Sequence, residues 1–313
     1  MSAAGTLAAA LRDAERTLAA AGIGSARVDA ELLAAHLLRS ASGRDVSRGE
    51  VQTAALLGRP APEGYAELVG RRAAREPLQH LTGRAPFRGV ELAVGPGVFV
   101  PRPETEQVAE HAVREAAAVL ARTGSAIVVD LCAGSGAIAV AVAVEVPGAL
   151  VHAVELDAAA HAWATRNVEA LAPGVRLHRG DARTALRVLD GTVDVVVSNP
   201  PYVPPGAVPV DPEVAHHDPA VALYGLGADG LEVPRGIVAA AARLLRPGGL
   251  LVMEHAEVQD AAARATVEAT GAFHGVATAL DLTGRARMVL ARRADPDQAD
   301  GMAPGPSVGD SQP

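Results

Sequence analysis

The chain has 313 residues, 49% of them hydrophobic and 20% charged, with a formal net charge of −8 and a single cysteine. That length allows one large domain plus a smaller one with a sizeable core, and the acidic balance excludes a nonspecific electrostatic grip on DNA or RNA, which depends on neutralising phosphates. The lone Cys132 excludes an intrachain disulfide framework and fits a reducing cytoplasm. Every basic residue is an arginine, and aromatics make up only 2%, leaving few platforms on which bases could stack. No apolar run approaches the roughly 20 residues of a membrane span. Arg12, Asp13, Glu15 and Arg16 interrupt the Ala-rich N-terminus, so no signal peptide is expected.

Helices come first. Thr6 is expected to cap a segment bearing Leu7, Leu11 and Leu18 and ended by Gly22. Ser25 is expected to cap the next, with Asp29 and Glu31 in its first turns and Leu32, Leu33, Leu37 and Leu38 following. A third helical piece runs from about Glu63 to Arg75, giving a small helical domain over residues 1–75. Arg71, Arg72, Arg75, Arg84 and Arg88 form a candidate local basic patch; the first three read equally well as a solvated helix face.

The pattern changes over residues 76–100. Short segments around Leu78–Leu81 and Val90–Val94, punctuated by Gly83, Gly89, Gly95, Pro96 and Gly97, predict a β-hairpin connector. Pro101 and Pro103 precede a helix from about Glu104 to Arg122. Beyond it, the apolar runs Ile127–Asp130, Leu150–Glu155, Val175–His178, Val193–Ser198 and Leu250–Glu254 alternate with helical stretches such as Ala137–Val144 and Ala158–Leu171. Near-continuous hydrophobic strands separated by helices predict an α/β fold with a mostly parallel sheet covered on both faces. Gly275–Leu280 and Ala286–Ala291, with no helix between them, predict an antiparallel hairpin at its edge. The α/β domain spans residues 101–293, and residues 294–313, rich in Pro, Gly, Asp and Ser, read as a disordered tail.

The first strand of that domain ends in Asp130-Leu131-Cys132-Ala133-Gly134-Ser135-Gly136, and a helix follows. Glycines there let the backbone approach a ligand and leave the helix N-terminus facing it, at the carboxyl edge where open α/β sheets bind ligands. Glu155, ending the second strand, is placed to accept from ribose hydroxyls. Asp181-Ala182, after the third, is placed to meet an adenine. The same residues satisfy a dinucleotide fingerprint, Gly134-x-Gly136-x-x-Ala139 with an acid downstream. They therefore predict a nucleoside cofactor without choosing between a nicotinamide and S-adenosylmethionine. Cys132 reads as a small residue in a tight turn, since no His, Asn or Asp is placed by sequence to make it a nucleophile.

Asn199-Pro200-Pro201-Tyr202 follows the strand Val193–Ser198 immediately. Prolines fix the backbone and remove donors, leaving carbonyls to accept. Asn199 adds an acceptor and a donor, and Tyr202 a flat face and a hydroxyl. An amide or exocyclic amine is a poor nucleophile because its lone pair is delocalised. Acceptors that hold both its N–H groups can aim the lone pair at a sulfonium methyl, which is catalysis by orientation without a strong base. The Asn199 side-chain carbonyl and the Pro200 backbone carbonyl suit that role, with Tyr202 packed on the planar group. A dehydrogenase has no use for the tetrapeptide, so S-adenosylmethionine is the expected cofactor.

Several motifs in one order then resemble the release-factor glutamine methyltransferases (the PrmC/HemK family). They are Arg75-Glu-Pro-Leu-Gln-His-Leu-Thr-Gly83, Phe87-Arg-Gly89, Pro96-Gly-Val-Phe-Val-Pro-Arg-Pro-Glu-Thr-Glu106, the turn Asp130–Ala139, Val193–Tyr202, Asp218-Pro219, Ala222-Leu223, Asp229-Gly-Leu231 and Arg246-Pro-Gly-Gly249. The resemblance implies a class I methyltransferase sheet with Rossmann-like topology behind a helical substrate-docking domain. It implies S-adenosylmethionine held by Cys132, Ala133, Gly134, Ser135, Gly136, Glu155, Asp181, Ala182 and Asn199. It implies that Asn199, Pro200, Pro201, Tyr202 and Phe99 hold the glutamine of a Gly-Gly-Gln loop in a peptide-chain release factor, with Asn199, Pro200 and Tyr202 catalytic and no metal. Pro101–Glu106 would wall the pocket, with Thr105 and Glu106 alternatively capping the next helix. His217-Asp218-Pro219, Val203–Val210 and Thr283–Arg287 depart from the family pattern. His216 and His217 lack metal-ligand spacing and read as loop residues. A ribosomal-protein glutamine, a nucleic-acid amino group and a non-enzymatic scaffold remain alternative readings; no direct nucleic-acid or membrane partner is expected.

Overall fold

The computed structural model describes residues 5–209 and 211–295, so all but two residues of the expected tail lie outside the described residues. The chain divides into two compact units.

The first unit contains α1 (Leu7–Ala20), α2 (Ala26–Ser42), α3 (Arg48–Leu56), α4 (Tyr65–Ala73) and the short α5 (Leu78–Thr82). Thr6 Oγ1 accepts from the Ala9 amide at 3.3 Å, capping α1. Leu7, Leu11, Ala14 and Leu18 fall on one buried stripe. Ser25 does not cap α2: its hydroxyl donates to Asp29 Oδ1 at 2.8 Å instead. α3, which the apolar pattern leaves unannounced, begins with a reciprocal Ser47–Glu50 capping box. α5 stands where part of the hairpin connector was expected; it starts after Pro77 and stops at Gly83 in the left-handed conformation. The hairpin itself is confined to β1 (Arg84–Phe87) and β2 (Val90–Ala93). Leu7, Leu11, Leu18, Leu33, Val51 and Tyr65 form the core of this unit, and the Tyr65 hydroxyl donates to the Ala30 carbonyl at 2.9 Å.

The described part of residues 208–219, including the helix Pro212–His217, also groups with this unit. Buried Arg72 gives Nε to Asp29 Oδ2 at 2.8 Å and Nη1 to Glu213 Oε1 at 2.6 Å. Arg75 grips the other Glu213 oxygen at 2.5 Å, and Arg71 pairs with Glu76. Arg72 is therefore part of a buried ion-pair cluster, neither a basic patch nor a solvated face.

The second unit holds α6 (Thr105–Thr123), β3 (Ile127–Leu131), α7 (Ala137–Glu145), β4 (Leu150–Glu155), α8 (Ala158–Leu171), β5 (Arg176–Arg179) and β6 (Val193–Ser198). After α9, which is Pro212–His217 of the first unit, come α10 (Ala220–Leu223), α11 (Glu232–Leu244), β7 (Leu245–Glu254), α12 (Asp260–Glu268), β8 (Phe273–Leu280) and β9 (Ala286–Arg293). The seven strands lie in the order β5-β4-β3-β6-β7-β9-β8. The pairs from β5 to β7 are parallel, and β9 and β8 close the edge antiparallel. This is the expected mostly parallel sheet with an antiparallel edge hairpin. Every residue of β6 is buried, as strands inside a covered parallel sheet must be. Strand order runs outward from β3 toward β4 on one side and restarts with β6 on the other, so β3 and β6 flank a topological switch point, where such sheets bind ligands. Leu131 and Ser198 are in register there.

Among the described residues no helix is long and apolar enough to cross a membrane.

Candidate active site

The turn after β3 is built on left-handed backbone: Cys132 (φ 67), Gly134 (φ 57) and Gly136 (φ 82). A Cβ on Gly134 would meet nothing within 4 Å, whereas one on Gly136 would lie in ordinary contact with Ala164 at 3.5 Å. Open space thus lies over the first glycine and helix α8 behind the second. The Gly134 amide donates to Glu155 Oε2 at 2.8 Å and the Asp157 amide to Glu155 Oε1 at 2.7 Å. Burial nonetheless raises the Glu155 carboxyl above its usual range. The Ser135 carbonyl takes the Asn167 amide at 2.9 Å. Ala133 is buried and held by its amide on the Val154 carbonyl at 3.0 Å.

Asp130 lies beneath this turn. One carboxylate oxygen accepts from the Ala139 amide at 3.1 Å, and the other is buried without a hydrogen-bond partner among the described residues. Burial, with the Glu155 charge adding to it, pushes this carboxyl up to about 7. Burial likewise pushes the Cys132 thiol upward, so it is held as a protonated small side chain. Asp181 follows β5 by two residues, with its carboxyl held down by a two-pronged ion pair from Arg183, Nη2 to Oδ2 at 2.7 Å. Ala182 beside it is buried.

Asn199 directly follows β6. Its Nδ2 donates to the Thr105 hydroxyl at 3.1 Å, and among the described residues nothing donates to its Oδ1 or to the Pro200 carbonyl. The Thr105 hydroxyl donates in turn to Glu254 Oε2 at 2.8 Å, while the Tyr202 hydroxyl donates to Glu254 Oε1 at 3.3 Å. Tyr202 is anchored at its backbone too: Gln259 Nε2 donates to its carbonyl at 2.8 Å. Pro201 and Tyr202 are backed by glycines, since a Cβ at Gly225 would lie 2.6 Å from the Pro201 carbonyl and one at Gly230 2.5 Å from that of Tyr202.

The turn Cys132–Gly136, Glu155, Asp181, Ala182 and Asn199–Tyr202 therefore all lie at the carboxyl ends of β3 to β6 in one unit. Phe99 belongs to the other unit, where it is half-buried. Thr105, Glu254 and Gln259 were not singled out for these roles by sequence reasoning; the one available signal was an acid ending the buried run Leu250–Glu254. Among the described residues no group of three or more His, Cys, Asp and Glu could hold a metal ion.

Two family models match the chain, "PrmC N-terminal domain" over residues 9–83 and "Methyltransferase small domain" over residues 115–216. A release factor glutamine methyltransferase of Streptomyces coelicolor is 48% identical over 296 residues, covering 93% of this chain and 99% of that protein. The chain belongs to the release-factor glutamine methyltransferase family. It is an enzyme of the methyltransferase class, and its cofactor is S-adenosylmethionine. Relatives of comparable likeness do not all carry the same name. A Streptomyces pristinaespiralis 4-amino-L-phenylalanine/4-methylamino-L-phenylalanine methyltransferase is 45% identical, covering 86% of this chain and 89% of that enzyme. Among solved structures, the hMettl16 catalytic domain in complex with an RNA hairpin is similar in fold alone, with a TM-score of 0.50 at 14% identity over 76% of this chain and 85% of that one.

Proposed function

We propose that this methyltransferase acts on the side-chain amide nitrogen of the glutamine in the Gly-Gly-Gln loop of peptide-chain release factors, in the cytoplasm. The observation that carries the reading is the pair of uncommitted acceptors, Asn199 Oδ1 and the Pro200 carbonyl, on the switch-point side of β6. Two N–H groups of a planar amide match two acceptors, and holding both leaves the nitrogen lone pair to one face. The names carried by the relatives support the same acceptor chemistry: a glutamine amide and an aromatic amine are both NH2 groups with a delocalised lone pair.

When bound, S-adenosylmethionine supplies an electrophilic methyl on a sulfonium. The residues that fit it are those around the β3 turn. The Cys132–Gly136 backbone offers a side-chain-free approach at Gly134, and the unpartnered oxygen of Asp130 lies buried beneath it. Glu155 would take ribose hydroxyls, and Asp181 with Ala182 the adenine. Asn199 and Pro200 orient the amide, Pro201 and Tyr202 pack on its plane, and water takes the proton that the product sheds. Nothing in this scheme requires a strong base.

The test is transfer of labelled methyl from S-adenosylmethionine to a purified release factor, run beside a ribosomal protein, bare RNA and 4-amino-L-phenylalanine. Labelling of the release factor, lost when its Gly-Gly-Gln glutamine is replaced, is expected. Labelling of one of the other acceptors instead would overturn the assignment. Asn199→Ala should remove transfer while cofactor affinity, measured by calorimetry, stays within about threefold. Function in cells surviving that change would favour a scaffold.

A further inference from the structure

A hydroxyl has one proton to give, and at Thr105 that proton is spoken for. Thr105 Oγ1 lies 2.8 Å from Glu254 Oε2 and 3.1 Å from Asn199 Nδ2. An ionised carboxylate only accepts, so the Thr105 proton points at Glu254. The Thr105 oxygen can then only accept, which turns the NH2 of Asn199 toward it and the Oδ1 of Asn199 away. The other oxygen of the same carboxylate takes the Tyr202 hydroxyl at 3.3 Å. Glu254 is 3% exposed, so few waters compete for these bonds. One buried carboxylate thus sets the direction of both polar ends of the tetrapeptide.

We infer that Glu254 and Thr105 are positioning residues that fix the polarity of the Asn199 side-chain amide, so that its carbonyl faces the acceptor nitrogen. The inference rests on the proposed planar-amide acceptor.

The relay has a second state. A protonated Glu254 carries a donor, which can be given to Thr105; the Thr105 proton then faces Asn199, whose carbonyl turns inward to meet it. Oδ1 is lost to the substrate. The charged and titratable groups acting on Glu254 are Arg287 on β9, Glu104 just ahead of α6 and Tyr202; Arg102 acts on Tyr202, and buried His255, next in the chain, faces Arg287 and Asp260. Arg287 is shared with Asp281, 3.4 Å away. Burial outweighs the stabilising pull of Thr105, Arg287 and Tyr202, Glu104 adds to it, and the carboxyl is pushed up to about 7. The change of state therefore falls near neutral pH.

The experiment uses the full chain, S-adenosylmethionine and a release factor across pH 6 to 9, with Thr105→Val, Thr105→Ser and Glu254→Gln. Thr105→Val should lower kcat about tenfold or more with cofactor affinity within about twofold of wild type, and Thr105→Ser should restore most of the loss. The wild-type rate should fall on the acid side, and Glu254→Gln should lack that fall. Separately, the Asn199 side-chain NH2 resonance should titrate with Glu254 in the wild type and not in Glu254→Gln. A Thr105→Val enzyme with wild-type kcat, a Thr105→Ser enzyme as impaired as Thr105→Val, or an unchanged titration in Glu254→Gln would overturn the inference. If wild type labels no release factor, the proposed function falls, and the resonance titration still decides the positioning role.

Discussion

An alanine at position 225 would place its Cβ 1.8 Å from the Gly230 carbonyl oxygen and 2.6 Å from that of Pro201. Both neighbours are backbone, so neither can swing aside. Gly230 is caught from the other direction, with φ +74 and the Tyr202 carbonyl 2.5 Å from an added Cβ. The rear of the tetrapeptide is thus two backbones packed without side chains between them. Gly225→Ala should cost about 3 kcal/mol or more in chemical denaturation and lower kcat, because the Pro201–Tyr202 backbone must shift. A folded variant with wild-type stability and rate would refute that packing argument. The tetrapeptide could be singled out as a candidate because its chemistry is local to four residues. Its supports could not be: Thr105 and Glu254 are 149 residues apart and Tyr202 and Glu254 52 apart, and no spacing rule joins them. Thr105 in particular read as part of a pocket wall or else as a helix cap, a role its residue type fits equally well.

At the scale of elements, the apolar strands were legible because a covered parallel strand must be hydrophobic throughout, as β6 is. Helices with a weak or short apolar stripe were not. α3 buries only Val51, and α5 has five residues, too few for periodicity to register. Caps depend on rotamers as well as residue type, which is why Thr6 caps α1 while Ser25 spends its hydroxyl on Asp29. The junction of β4 and α8 yields a separable prediction. Asp157 caps α8 through its side chain, accepting from the Ala159 and Ala160 amides at 2.9 and 3.0 Å. It steadies Glu155 only through its backbone amide. Asp157→Ala should therefore cost about 1 kcal/mol of stability, read from the thermal midpoint, and leave cofactor affinity nearly unchanged. Glu155→Ala should weaken cofactor binding strongly while sparing the cap. Equal losses of affinity in the two variants would undo the distinction.

Over the whole molecule, two sets of buried carboxyls pull stability in opposite directions with pH. Asp130 and Glu254 have folded values of about 7 against ordinary values of 3.8 and 4.5. Between those limits the native state holds protons that the unfolded chain has released, so raising the pH erodes stability, by about 3 kcal/mol or more for each group once both have ionised. Glu213 has the opposite sense. Burial alone would raise it, but Asp211, Arg72, the helix backbone and Arg75 together bring it down to about 2 from 4.5. Its contribution, about 3 kcal/mol on the same scale, is complete above pH 4.5 and disappears as the pH falls through 2. The gain from Glu213 and the loss from Asp130 and Glu254 balance near pH 4, so these three groups should put the maximum thermal midpoint of the cofactor-free protein at about pH 4. Activity requires an ionised Glu254 and should still be rising there. A protein at its most stable is then not at its most active, because the charge that orients Asn199 is also a charge the core would rather not hold. Three thermal-midpoint series from pH 3 to 9 check this. Asp130→Asn should flatten the decline between about pH 4 and 7 relative to wild type, and Glu213→Gln should lose its stability deficit only at the lowest pH. A wild-type midpoint that climbs steadily to pH 8, with Asp130→Asn running parallel to it, would mean that these buried carboxyls are already ionised throughout the range and that the opposition between stability and activity does not exist.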